Sequence, residues 1–173
     1  LLNHRNLPII RAWQPNRAFR AARSRNLAML KCTSDYVVFI DGDCLLPRDF
    51  VASHLKLAER EKIVSGGRHL LSAQETNQIM QGCANFERKF LANWKFTSVA
   101  LGPLRNLGRK NWRLVRTCNV AMHRSTVESA GGFDENYVGW GLEDSDLICR
   151  LLRLGYFIKS GRLSACVAHL KHK

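Results

Sequence analysis

Residues 36–43, Tyr36-Val37-Val38-Phe39-Ile40-Asp41-Gly42-Asp43, constrain the fold of this chain more than any other stretch. A run of apolar residues, mostly β-branched or aromatic, predicts a buried strand over 36–40. It ends abruptly in two carboxylates separated by one glycine. Open α/β sheets place their ligand crevices at the carboxyl ends of strands, so Asp41 and Asp43 fall where a ligand would sit. Close carboxylates repel unless a cation lies between them, and a divalent ion bridging to phosphate oxygens is a common solution. Asp-Gly is also an ordinary turn dipeptide, so the segment taken alone reads as a plain strand exit as well.

The rest of the pattern alternates between the two periodicities. Residues 1–17 are irregular, broken by Pro8 and Pro15. A helix is expected over 18–31, with an apolar face of Phe19, Ala22, Leu27 and Leu30, and another after Pro47, with Phe50, Val51, Leu55 and Leu57/Ala58 inward. A short strand at 62–64 should end at Gly66-Gly67. A long helix is expected over 73–96, turning aromatic at Phe86, Phe90, Trp94 and Phe96, followed by a loop over 97–115 rich in Gly, Asn and Arg. Loops of that length usually carry function or move, and this one is expected to act as a lid or acceptor clamp. A strand over 115–123, a short helix over 125–130 stopped by Gly131-Gly132, and a helix over 143–154 stopped by Gly155 follow. Strands at 156–159 and 163–168 close the chain. This alternation predicts an α/β fold, a three-layer, mostly parallel sheet in a single domain over 1–173.

Composition narrows the class. The chain has 27 Lys+Arg against 14 Asp+Glu, a net charge of +13, dispersed over the sequence with denser stretches at 11–25 and 105–116. Such a surface favours polyanions, anionic lipid headgroups or phosphorylated small molecules. No apolar run approaches the roughly 20 residues a membrane span requires. The six cysteines include no Cys-x-x-Cys pair, which argues against a zinc ribbon and for reduced thiols in a cytosolic protein.

Two further constellations carry chemistry. Gly139-Trp140-Gly141-Leu142-Glu143-Asp144-Ser145-Asp146 sets an indole between glycines, a platform for the apolar face of a sugar, just before a helix. Glu143 and Asp144 fall in its first turn, where the helix dipole favours ionised carboxylates. A carboxylate held there could take a proton from a hydroxyl, although capping alone accounts for Glu and Asp at such positions, and Asp146 reads as capping only. Beyond the last strand, His169-Leu170-Lys171-His172 offers imidazoles of the kind that bind manganese-type ions beside carboxylates, or that simply sit in solvent.

The order of these pieces resembles a family 2 glycosyltransferase of the GT-A fold. The segment from Asn119-Val120-Ala121-Met122-His123-Arg124 through Gly131-Gly132-Phe133-Asp134-Glu135 to Gly141-Leu142-Glu143-Asp144-Ser145-Asp146-Leu147 is similar to the acceptor-side segment of that family. It is also similar to that of β-1,4-galactosyltransferases and chondroitin-type polymerases, which share a Gly-Trp-Gly-x-Glu-Asp core. Ser24-Arg25-Asn26-Leu27-Ala28 resembles the donor-side Ala-Arg-Asn-x-Gly segment. The resemblance spans roughly residues 16–172.

It implies an inverting transfer from a nucleotide-sugar, usually a UDP-sugar, to a glycan or glycolipid hydroxyl, with Mn²⁺ or Mg²⁺. By motif, Asp43 would be the metal carboxylate and His169 would complete the site, with His172 as second choice. Asp41 would face the ribose or the ion's outer shell. Asp144 would be the base, Glu143 and Trp140 would hold the acceptor sugar, and Arg25 with Asn26 would lie near the nucleotide. The family's apolar first strand and its second strand ending in Asp-Asp have no counterpart, so the chain is expected to lack the first strands of the fold and much of the uracil pocket. The expected setting is bacterial surface polysaccharide synthesis, cytoplasmic, with peripheral contact to an anionic membrane.

Other classes compete. A truncated homologue that no longer binds donor would keep every motif above. A basic nucleic-acid-binding module would use Trp112 among Arg109, Lys110, Arg113 and Arg116 as a stacking platform, but it leaves Asp41, Asp43, Glu143 and Asp144 without a purpose. A metal-dependent phosphoesterase needs more metal-binding side chains than these. No nucleic-acid partner is expected.

Overall fold

The structure, a computed structural model, describes residues 8–81 and 110–172. Its elements are α1 (Ala21–Lys31), β1 (Tyr36–Ile40), β2 (Cys44–Leu45), α2 (Phe50–Leu57), β3 (Lys62–Leu70), α3 (Ala73–Met80), a 3₁₀ turn (Trp112–Leu114), β4 (Asn119–His123), α4 (Arg124–Ser129), α5 (Glu143–Arg153) and β5 (Phe157–His169). The later part of the expected 73–96 helix, with its four aromatics, lies outside the described residues, as does most of the expected 97–115 loop.

The strands form one sheet in the order β1-β4-β3-β5-β2. The α/β class holds, but the expected mostly parallel pairing does not. β3 and β5 are parallel, whereas β1–β4, β3–β4 and β2–β5 are antiparallel. Helix–strand alternation fixes a parallel direction only when successive strands end up as neighbours. Here β4 inserts between β1 and β3 and runs against both, and β2 turns back along the end of β5.

The two short strands expected at the C-terminus are one strand, β5, interrupted in its pairing. Its register on β3 runs from Lys62↔Phe157 to Gly66↔Gly161, then jumps to Gly67↔Cys166 and ends at Leu70↔His169. β3 likewise continues through Gly66-Gly67 instead of ending there. A Cβ on Gly67 would lie 2.2 Å from Cys166 Sγ and 2.5 Å from the Arg162 carbonyl oxygen, so the bulge of β5 admits only glycine opposite it.

Alternate residues of the strands feed two cores, as the pleat requires. One face carries Val37, Ile63, Val120, Met122 and Ile158, packed with Ala22 of α1, Val127 of α4, and Leu147, Ile148 and Leu151 of α5. The other carries Val64, Ala121 and Ala165 with Leu57 of α2, and Tyr36 and Val38 against them. Helices therefore cover both faces, which gives the three expected layers.

Two helices bury different faces from those their apolar residues suggest. In α1, Phe19 precedes the helix and is 55% exposed, and Leu30 is 78% exposed. The inward row is Ala22, Arg25, Asn26 and Met29, spaced i, i+3, i+4, i+7, so polar groups share the face with the core alanine. In α2 the buried row is Phe50, His54 and Leu57, while Val51 and Leu55 are exposed. His54 Nε2 donates to Asn119 Oδ1 at 2.9 Å, because the Asn119 amide nitrogen is already committed to the Gly67 and Ala165 carbonyls at 2.8 and 2.9 Å. That bond joins α2, β3, β4 and β5 at the edge of the bulge. Among the described residues no two cysteines are joined in a disulfide.

Candidate active site

The sheet register assembles the first half of the site. After β1 the chain turns at Gly42, with the Cys44 amide donating to the Asp41 carbonyl at 3.2 Å, and re-enters the sheet as β2. β2 pairs Cys44 with His169, and the Leu170 amide donates to the Asp43 carbonyl at 3.0 Å. The Asp43-Cys44 and His169-Leu170 segments are thereby clamped backbone to backbone, with the side chains of Asp43 and His169 together. His169 Nε2 lies 3.4 Å from Asp43 Oδ2, and His172 Nε2 contacts the same oxygen. The imidazole rings meet edge to face at 5.4 Å.

The donor set fits a cation. His169 Nδ1 lies 2.8 Å from the Leu170 carbonyl, which can only accept, so Nδ1 donates there and Nε2 is the ring nitrogen turned toward Asp43. His172 Nε2 reaches the same oxygen, so two imidazole nitrogens and a carboxylate oxygen converge on one point, as ligands of a shared cation do. Two imidazoles and a carboxylate make a nitrogen-oxygen set suited to manganese-type ions. Cys44 Sγ is also within ligand distance of Asp43 and His169. Burial first, then neighbouring Cys118, Asp43 and Asp41, push its thiol up to about 12, so it remains a protonated donor to Asp43 and to the Cys118 carbonyl.

The second half stands at the start of α5. Gly139, Gly141 and Leu142 all have positive φ (105°, 91° and 75°), a left-handed run that throws Trp140 outward. Trp140 is 92% exposed, as the flanking glycines suggested. Asp144 Oδ1 accepts from its neighbour Ser145, from the backbone amide at 2.7 Å and from Oγ at 3.3 Å; Oδ2 faces the Thr117 amide at 3.5 Å. One oxygen is thus anchored and the other has a single, long contact.

Arg25 joins the two halves. It donates to Glu143 Oε1 at 2.7 Å and lies 3.4 Å from Asp41 Oδ1. Its guanidinium stacks 5.4 Å from the Phe133 ring. Glu143 is turned inward with 8% of its side chain exposed, and Oε2 is buried with no partner among the described residues. Asn26 is taken up by the Gly131–Glu135 turn. Its amide donates to the Phe133 carbonyl at 2.8 Å and to Glu135 Oε1 at 3.0 Å, and its Oδ1 accepts from the Phe133 amide at 2.9 Å. Asn26 therefore docks α1 on the loop that leads into Trp140.

The structure brings Asp43, His169 and His172 together, and Asp41, Arg25 and Glu143 together. Sequence reasoning missed Thr117 and Cys118, whose backbone links Asp144 to Cys44, and it missed Arg68 and Arg162 beside them. Backbone contacts leave no trace in residue type. The two arginines belong to different strands, and only the β3–β5 register aligns them. Among the described residues no helix is long and apolar enough to cross a membrane.

The chain is 26% identical over 171 residues to the uncharacterized glycosyltransferase YfnE of Bacillus subtilis (strain 168), covering 78% of this chain and 44% of YfnE. It superposes on the crystal structure of GalNAc-T7 with UDP, GalNAc and Mn²⁺ at a TM-score of 0.61 and 11% identity, over 92% of this chain and 32% of that one, which shows a shared GT-A fold. The chain thus spans less than half the length of either protein. The family model described as glycosyltransferase like family 2 matches residues 2–165. With nearly its whole length matched to that model, the chain belongs to glycosyltransferase family 2.

Proposed function

We propose that this domain carries an inverting, metal-dependent transfer of a sugar from a nucleotide-sugar, of the UDP type, to a glycan or glycolipid hydroxyl. The observation that carries the reading is the convergence of His169 and His172 on one oxygen of Asp43, joined through Asp41 and Arg25 to the start of α5. Asp43, His169 and His172 would hold a Mn²⁺ or Mg²⁺ ion. Such an ion would neutralise the diphosphate as it leaves. The UDP and Mn²⁺ named for GalNAc-T7 agree with that donor set.

The chain's own groups account for the remaining chemistry. Asp144, its Oδ1 fixed by Ser145, keeps Oδ2 to accept the proton of the attacking hydroxyl. The hydroxyl oxygen forms the new bond to the anomeric carbon while the bond to the diphosphate oxygen breaks, and the electron pair leaves with the diphosphate. Attack from the opposite face inverts the anomeric centre. Glu143 fixes Arg25, and Arg25 in turn fixes Asp41 beside the donor. Trp140 offers its exposed ring to the acceptor. The net charge of +13 suits an acceptor presented at an anionic membrane surface, as in bacterial surface polysaccharide synthesis.

Isothermal titration with UDP, with and without Mn²⁺, on the unaltered chain, Asp43→Ala and Asp144→Asn tests this reading. UDP binding should need both the metal and Asp43, and Asp144→Asn should keep it while losing turnover. UDP binding indifferent to metal and to Asp43 sinks the metal assignment. No binding to a folded sample would identify a homologue that has lost its donor site.

A further inference from the structure

We propose that a second anion site beside the transfer centre, built from four arginines, takes an acidic substituent, a carboxylate or a phosphate, on one of the two sugar substrates. The inference rests on the transfer reading above and deepens it toward substrate class. A cavity of about 410 Å³ opens at the β3–β5 bulge, with Arg68, Arg113, Arg116 and Arg162 around it and Gly67 and Asn119 in its floor. Arg68 follows the Gly-Gly of β3, Arg162 stands at the start of the β5 bulge, and Arg113 and Arg116 flank the turn into β4.

Each guanidinium is steadied by a neutral contact. Arg68 lies beside the Cys118 side chain, Arg113 lies 4.6 Å from the Trp112 ring, Arg116 donates to the Val115 carbonyl at 3.3 Å and Arg162 to the Leu114 carbonyl at 3.3 Å. Among the described residues none of the four is paired with a carboxylate. A guanidinium has five N–H donors, so most of this donor capacity faces the cavity or solvent. Four like charges around one space repel one another, and an entering anion relieves that repulsion. The floor does not yield. Asn119 is 2% exposed and bound to His54, Gly67 and Ala165, and the Gly67 position has no room for a side chain.

The position ties the cavity to the reaction. Its lining includes Arg116 and Cys118, the neighbours of Thr117, whose amide faces Asp144, and the Cys118 carbonyl accepts from Cys44 next to Asp43. The transfer reading above does not use these arginines, because the ion that Asp43, His169 and His172 would hold supplies the positive charge for the donor's diphosphate. Arginine matches carboxylate and phosphate bidentately, which suits a single oxyanion on a sugar. A nucleic acid strand laid across this rim would bring further phosphates against Asp41, Asp43 and Asp144.

The test is titration calorimetry at low ionic strength, with two matched pairs of probes. A glucuronate-containing tetrasaccharide against its neutral glucose counterpart reads the acceptor side. UDP-glucuronate against UDP-glucose, with Mn²⁺, reads the donor side. The unaltered chain should bind the acidic member of one pair at least about tenfold more tightly, and that pair identifies the substrate that carries the acid. Arg68→Ala/Arg162→Ala and, separately, Arg113→Ala/Arg116→Ala should abolish the preference, with folding checked by thermal melts. Arg60→Ala/Arg153→Ala, outside the cavity, should retain it. No acid preference in either pair overturns the proposal, as does a preference that survives both cavity variants or disappears in the control. A single-stranded oligonucleotide bound more tightly than either acid, and released by the cavity variants, overturns it in favour of nucleic acid. The tetrasaccharide pair is measured without metal, so UDP binding that ignores Mn²⁺ and Asp43 counts against the transfer reading alone.

Discussion

Arg25→Ala is the substitution whose cost follows most directly from the structure. Arg25 holds Glu143 at 2.7 Å, with 17% and 8% of their side chains exposed. Glu143 already has one oxygen, Oε2, buried without a partner among the described residues. Removing the guanidinium leaves a buried carboxylate with neither counter-charge nor donor. Breaking a buried ion pair from one side costs about 3–5 kcal/mol, and the residual exposure of Arg25 favours the lower end, about 3 kcal/mol. In a chain of this length each kcal/mol moves the midpoint by about 2–4 °C, so Tm should fall by roughly 6–12 °C. The partner change should be milder. Glu143→Gln keeps the shape and removes the charge that needs Arg25, so adding it to Arg25→Ala should restore at least half of the loss, a coupling of about 1.5 kcal/mol. Urea unfolding of the four proteins of the cycle measures this. An Arg25→Ala cost below about 1 kcal/mol, or strict additivity with Glu143→Gln, would refute the claim that Arg25 serves Glu143 and Asp41 before it serves a nucleotide.

Three other outcomes are expected. Asn26→Ala removes three hydrogen bonds to the Phe133–Glu135 turn and should cost about 2–3 kcal/mol in urea unfolding, while Asn26→Asp keeps only the Phe133 amide as a donor and recovers a minority of that. Trp140→Ala, at a fully displayed ring, should leave stability within about 0.5 kcal/mol but weaken oligosaccharide binding, read by titration. Burial, opposed in part by the Asn119 bond, holds His54 below the ordinary imidazole value, so the unfolded chain binds this proton first as pH falls. Its stability contribution is therefore intact above about pH 6.5 and declines below it, and the slope of Tm against pH under that value should flatten in His54→Gln.

The two acidic motifs were legible in the sequence because each sits at an abrupt change of pattern. An apolar run ends in Asp41-Gly42-Asp43, and glycines give way to a helix start at Glu143-Asp144. The glycine stop after α4 was legible for the same reason, since Gly131 and Gly132 adopt the left-handed conformation that ends helices. What residue pattern does not carry is pairing between distant strands, and most of the site's logic lies there. The β2–β5 register brings His169 to Asp43, and the β3–β5 register with its jump at Gly66/Gly67 brings Arg162 toward Arg68. The same limit explains the errors in α1 and α2. Apolar periodicity selects Phe19 and Leu30, but the inner face of α1 had to carry Arg25 and Asn26 to the site, so the exposed apolar residues fall on the opposite side. A helix that serves a site gives up part of its amphipathic signal, and a weak pattern beside a strong motif is itself a mark of function.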